Sequence, residues 1–134
     1  MASSLCGVSL FNYLCRTTKT YKNILVIDFN DLDEQTIEGF KGGKGTLVTR
    51  NFADDKCKIM LSTLKPGAST GLHTHVGNCE VVYVLEGTLT CHDDGEAKQV
   101  QAGQVHYCPM GHQHYMENLT SSDVRYFAIV PEHH

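Results

Sequence analysis

The stretch Gly67-Ala-Ser-Thr-Gly-Leu-His73-Thr-His75-Val-Gly-Asn-Cys-Glu80-Val-Val-Tyr-Val-Leu-Glu-Gly87 sets two histidines one residue apart, then a glutamate at the head of an alternating run. Alternate residues of an extended chain share a face, so His73 and His75 point the same way if the segment is a strand. Val76-Gly-Asn78 offers a turn, and Glu80 opens the run to Leu85 on what reads as the neighbouring strand. A second stretch runs from Gly103 to Asn118, G-Q-V-H-Y-C-P-M-G-H-Q-H-Y-M-E-N. It reads as a short strand, a Pro109-Met110-Gly111 turn that stops it, and His114 at the start of the next strand. Three imidazoles and a carboxylate suit manganese, iron, nickel or zinc better than calcium or magnesium. A five- or six-coordinate ion held by four such groups keeps open positions.

The two stretches together resemble the two motifs of the cupin superfamily. Gly67, His73, His75, Glu80 and Gly87 align with the first motif, and Gly103, Pro109, Gly111, His114 and Asn118 with the second. Fifteen residues separate them, as in compact single-domain members of that family. The resemblance implies an all-β fold, a double-stranded β-helix or jelly-roll barrel. It further implies an internal divalent transition metal bound by His73, His75, Glu80 and His114, and a homodimer. Each piece has a plainer reading: a lone H-x-H is common on exposed strands, and Glu80 alone fits a solvated edge. Jointly they argue otherwise, because burying three imidazoles and a carboxylate is costly without a partner such as a metal.

Composition agrees with one such barrel. A chain of 134 residues makes one ordinary domain with a single core. Charged residues are 19%, low enough to suggest that a partner covers some surface. The net charge is -4 and no basic cluster occurs, which argues against nucleic acid as a partner and leaves a small-molecule ligand or substrate. The cysteines at 6, 15, 57, 79, 91 and 108 show neither C-x-x-C pairs nor the spacing of a disulfide scaffold. They read as reduced thiols in a cytoplasmic protein, with Cys79, Cys91 and Cys108 as small buried hydrophobes. No stretch is long and apolar enough to span a membrane.

Outward from the motifs, Lys56 to Leu64 alternates polar and apolar residues, and Thr46 to Arg50 reads as a strand. Thr88 to His92 and Ala97 to Ala102 form a hairpin about Asp93-Asp94-Gly95, and Val124 to Val130 is the closing strand. Asn23 to Phe29 is expected as a buried strand, and the acidic run Asp31 to Ile37 as one or two helical turns. Lys41-Gly-Gly-Lys-Gly45 is a turn; it lacks the spacing of a phosphate loop. Residues 1–22 form an N-terminal extension, expected to pack on the barrel or on a second subunit, with the barrel domain at 23–134. His133 and His134 read as a solvated tail.

Around the metal, alternation sends Val82 and Val84 inward with Glu80, and Met116 with His114. Tyr107, His112, His92 and His106 are candidates for added polar groups, the first three also for the base that a proton transfer needs. Arg50 is a candidate for two-point contact with a substrate carboxylate or phosphate. A divalent ion beside one carboxylate retains about one net positive charge, enough to polarise a chelating oxygen. Within the resemblance this fits isomerases or epimerases of sugars, decarboxylases of small acids such as oxalate, lyases and dioxygenases. The alternative is a ligand-binding or sensor barrel whose metal serves recognition or stability.

Overall fold

The computed structural model describes residues 25–133, and those residues build two antiparallel sheets that face each other. In chain order the strands are β1 Glu34–Glu38, β2 Thr46–Ala53, β3 Cys57–Leu64, β4 His73–Thr74, β5 Glu80–Glu86, β6 Thr88–Asp93, β7 Glu96–Gln101, β8 Val105–Cys108, β9 Gln113–Glu117 and β10 Val124–Pro131. The six-stranded sheet has the order β1-β2-β3-β10-β5-β8 and the four-stranded sheet β4-β9-β6-β7, a jelly-roll arrangement. Among the described residues no helix is long and apolar enough to cross a membrane.

Alternation puts Leu47, Leu64, Val82, Val84, Leu89, Met116, Val124 and Ala128 into the core between the sheets. The β6 to β7 hairpin turns on Asp94 and Gly95, with φ 48° and 87°, the positive values that a tight two-residue turn requires. Asn118, fully buried, ties three loops together. Its amide nitrogen donates to the carbonyls of Leu64 and Ser122 at 2.9 and 2.8 Å, and its oxygen accepts from the backbone and hydroxyl of Thr120.

Several expectations are corrected. Leu25 to Asp28 form no strand, and Leu25 and Val26 stand exposed; Phe29 starts a 3-10 turn, Phe29–Asp31, and packs its ring edge-on against Phe127. The acidic run is not helical beyond that turn. Glu34–Glu38 is instead an edge strand on β2, where β-branched Thr36 and Ile37 favour extension and exposed glutamates discourage further pairing. β10 closes the chain as expected, and within its sheet it is central, between β3 and β5. His133 is no free tail, since its backbone nitrogen donates to Gly77 and its ring meets the Cys79 sulfur at 3.3 Å. The extension at 1–22 and His134 lie outside the described residues.

Candidate metal centre

His73 and His75 do not lie on a strand beside Glu80. The H-x-H segment belongs to the four-stranded sheet, where His73 is paired directly with His114 of β9, while Glu80 opens β5 in the opposite sheet. The two sheets therefore bring the four groups together across the barrel. His75 is held in line by backbone bonds, its nitrogen to His112 O at 3.0 Å and its carbonyl from Gly111 N at 2.8 Å.

Ligand atoms of His73, His75, Glu80 and His114 all lie within 4.8 Å of one another. The His114 Nε2 is 3.0 Å from His75 Nε2 and 3.1 Å from His73 Nε2, and the Glu80 Oε1 is 3.0 and 3.3 Å from His114 and His75. What the outer nitrogens do decides how these contacts are understood. His73 Nδ1 donates to the Gly71 carbonyl at 2.7 Å, and a carbonyl can only accept. His75 Nδ1 donates to Asn78 Oδ1 at 2.7 Å, while the Asn78 amide nitrogen is spent on Glu132 at 3.3 Å. His114 Nδ1 meets His106 Nε2 at 3.0 Å. With Nδ1 of each engaged on the outside, His73 and His75 turn Nε2 toward the same point as the Glu80 oxygen, a lone pair on each ring whenever that ring is neutral.

Charge states fit. Burial pushes His73 down to about 4, opposed by the Gly71 carbonyl, so it is neutral near pH 7. Burial would raise Glu80, but the bonds from His114 and His75 hold it below the usual carboxylate range. For His75 burial acts downward and is outweighed by Glu80 and Asn78, giving a net rise. This is the donor set of a transition-metal site: imidazole lone pairs, one carboxylate, and outer partners that fix each ring. Donor separations of 3.0 to 3.3 Å between neighbouring groups would let the four side chains share one ion.

His73, His75 and Glu80 line a cavity of about 280 Å³, with His114 fully buried behind them. Leu47, Met60, Met116 and Val130 supply apolar wall, and the inner face of the six-stranded sheet adds Thr49, Asn51, Lys58, Ser62 and Tyr126. Thr49 Oγ1 bonds Asn51 Oδ1 and Ser62 Oγ, both at 2.8 Å. Burial lowers Lys58 to about 8, with Lys41 adding to the fall and Glu80 opposing it.

Arg50, Tyr107 and His112 lie elsewhere, and none of the three lines this cavity. Arg50 lies between inward-facing Thr49 and Asn51 and so points out, donating to the carbonyls of Phe29 and Leu32 at 3.3 and 2.6 Å and pairing with Glu34 at 3.2 Å. Tyr107 is more than half exposed on the edge strand β8. His112 is engaged by Asp93 and Asp94 at 2.9 and 3.0 Å. His92 pairs with Glu117 at 2.6 Å and stacks on Tyr115. Reasoning from the sequence overlooked Asn78 and Lys58; the signal for Lys58 was its place in the alternating run with Met60, Ser62 and Leu64.

Cys79, Cys91 and Cys108 are buried free thiols, and burial pushes Cys91 and Cys108 up to about 12. At ordinary pH the raised thiols of Cys91 and Cys108 are inert.

Residues 60–130 match the family model described as the cupin domain. The chain belongs to the cupin family. It is 30% identical over 112 residues to an oxalate-binding protein of Thermotoga maritima, an alignment covering 79% of this chain and 93% of that protein. To the oxalate decarboxylase OxdC of Bacillus subtilis it is 32% identical over 110 residues, 77% of this cupin but only 28% of that enzyme. This cupin therefore spans little more than a quarter of OxdC. The solved structure of a predicted oxalate decarboxylase from Thermotoga maritima superposes with a TM-score of 0.75 at 28% identity, covering 81% of this chain and 99% of that one.

Proposed function

We propose that this cupin holds a divalent transition metal on His73, His75, Glu80 and His114 and binds a small dicarboxylate, oxalate first among them, in the adjoining cavity. The observation that carries the reading is the convergence of the His73 and His75 lone pairs with His114 Nε2 and the Glu80 oxygen, each outer ring nitrogen being engaged elsewhere. Three imidazoles and one carboxylate suit manganese, iron, nickel or zinc. When bound, the ion supplies positive charge and open positions for carboxylate oxygens.

The chain's own residues do the rest. Lys58 brings a cation to a wall shared by apolar side chains and the carboxylates of Asp54, Asp55 and Glu132. Thr49 occupies the Asn51 amide oxygen, which leaves the Asn51 amide nitrogen to donate into the cavity. Both groups favour an oxygen-rich anion. The names of the relatives support oxalate as the first acid to try.

A second reading, turnover, has one observation in its favour: an amine at about 8 inside the cavity can exchange a proton near neutral pH. Decarboxylation of hydrogen oxalate breaks the C–C bond, releases carbon dioxide and places one proton on the remaining carbon to give formate. Calorimetry of the manganese-loaded protein with oxalate, with proton NMR for formate, separates the two. Saturable binding that disappears with chelator is the expected result. Formate adds the enzymatic role, and no binding with any of manganese, iron, nickel or zinc loaded sinks the proposal.

A further inference from the structure

We propose that Lys41 reads a second negative charge on the ligand, making the cavity selective for dianions over monocarboxylates; this rests on the metal-and-carboxylate reading of the same cavity. Lys41 sits in a 3-10 turn, Phe40–Gly42, with φ 53° and ψ 30°, the left-handed region. Apart from Asp94 in the hairpin turn, it is the one non-glycine residue with positive φ among those described. Glycine would take that backbone without strain, and glycine is abundant in this segment. Strain of this kind persists only where the surroundings over-determine it, and it collects at ligand sites.

The surroundings do over-determine it. Gly71 N donates to Phe40 O and Ser69 N to Lys44 O, both at 2.8 Å. A Cβ at Gly71 would lie 1.7 Å from the Lys41 carbonyl oxygen, and one at Gly43 would lie 2.1 Å from Ser69 O. Backbone thus lies directly on backbone, and the strand segment clamped there runs on to His73. Lys41 has a fixed starting point at the cavity wall.

Its ammonium has no such anchor. Lys41 lines the cavity but makes no hydrogen bond or ion pair with any described residue; the one contact of its amine is the Phe40 ring, 5.7 Å away. Much of its surface is open to solvent, yet crowding by the wall still lowers its pKa, with Glu80 opposing. Its charge also depresses that of Lys58. Two neighbouring amines that repel each other, one of them without an acceptor, are relieved by a ligand carrying charge beyond the group that faces the four donors. A monocarboxylate leaves the Lys41 amine as it was.

Calorimetry of oxalate and acetate on the manganese-loaded full chain tests this in the parent, Lys41→Met and Lys41→Arg. Oxalate affinity is expected to fall about 10- to 100-fold in Lys41→Met and acetate affinity by less than about 3-fold, with Lys41→Arg close to the parent for both. A Lys41→Gly variant should melt higher than the parent while losing oxalate as Lys41→Met does, a split that a merely structural lysine would not produce. Unchanged oxalate affinity in Lys41→Met, with the parent binding, overturns the role of Lys41 alone. A parent that binds neither acid overturns this proposal together with the reading beneath it.

Discussion

Two groups of ligand-type side chains sit in this barrel, and they differ in what their polar atoms already have. Asp93, Asp94 and His112 cluster at the β6 to β7 turn, partly exposed, with the imidazole nitrogen shared between the two carboxylates. His73, His75, Glu80 and His114 lie inside, their outer nitrogens engaged and their inner atoms facing one another. The first group needs nothing further, because water and its own ion pairs satisfy it. The second leaves lone pairs that no proton arrangement satisfies all at once. A metal site is thus recognised by where the unspent lone pairs go, and residue type alone does not separate the two.

The sharpest way to break this contrast is to remove one member of each group. His114→Ala is expected to lower metal affinity more than about 100-fold, whereas Asp93→Asn with Asp94→Asn should leave bound metal unchanged. Elemental analysis after exhaustive dialysis reads both, and metal loss in the second variant would show that the surface group matters after all. A smaller effect is expected behind the ligands, at His106, whose nitrogen meets His114 Nδ1 at 3.0 Å. His106→Leu should weaken metal binding about 10- to 100-fold in chelator competition, with His106→Gln restoring most of it through its amide oxygen.

The smallest expected effect is the opposite pH response of the two groups in the metal-free protein. His73 is lowered by burial to about 4, so the unfolded chain takes up its proton first, and stability falls as pH drops from about 6.5 towards 4. His112 is raised, chiefly by its bond to Asp93, so its contribution is complete below the ordinary histidine value and fades as pH climbs through the raised one. Denaturant titrations across pH 4 to 8 should show the acid-side slope, up to one proton, disappear in His73→Gln. The shallower upper-side slope should disappear in His112→Gln. Identical profiles in parent and variants would mean that the two environments do not differ as described.

The barrel and the grouping of the four donors were legible in the sequence because period-two alternation and the spaced glycines are local signals. The Glu80 to Leu85 run and the Asp94-Gly95 hairpin carry their structure in a few neighbouring residues. Which sheet each strand joins is not local. The H-x-H segment looked like a neighbour of Glu80, yet its partner is β9, forty residues further on by number. Arg50 misled for a related reason: the face of a strand is fixed by register, and register is fixed by β3 and by the edge strand β1, which the acidic composition of Glu34–Glu38 disguised. Phe29 likewise reads as strand from its neighbours, whereas its apolar ring packs edge-on against Phe127. Lys41 and Lys58 escaped notice because a lysine in a turn or on a strand is normally solvated, and only the closed barrel turns them toward a cavity.

The pairing of His73 with His114 has one more consequence. Strand β4 is two residues long, too short to fix its own alignment, and a shift of β9 by one position would send His114 to the outer face and bring Gln113 or Tyr115 inward. Only the correctly threaded chain assembles all four donors. An ion added during refolding would therefore act as a proofreader, retained by molecules whose strands are in step and released by those that are not.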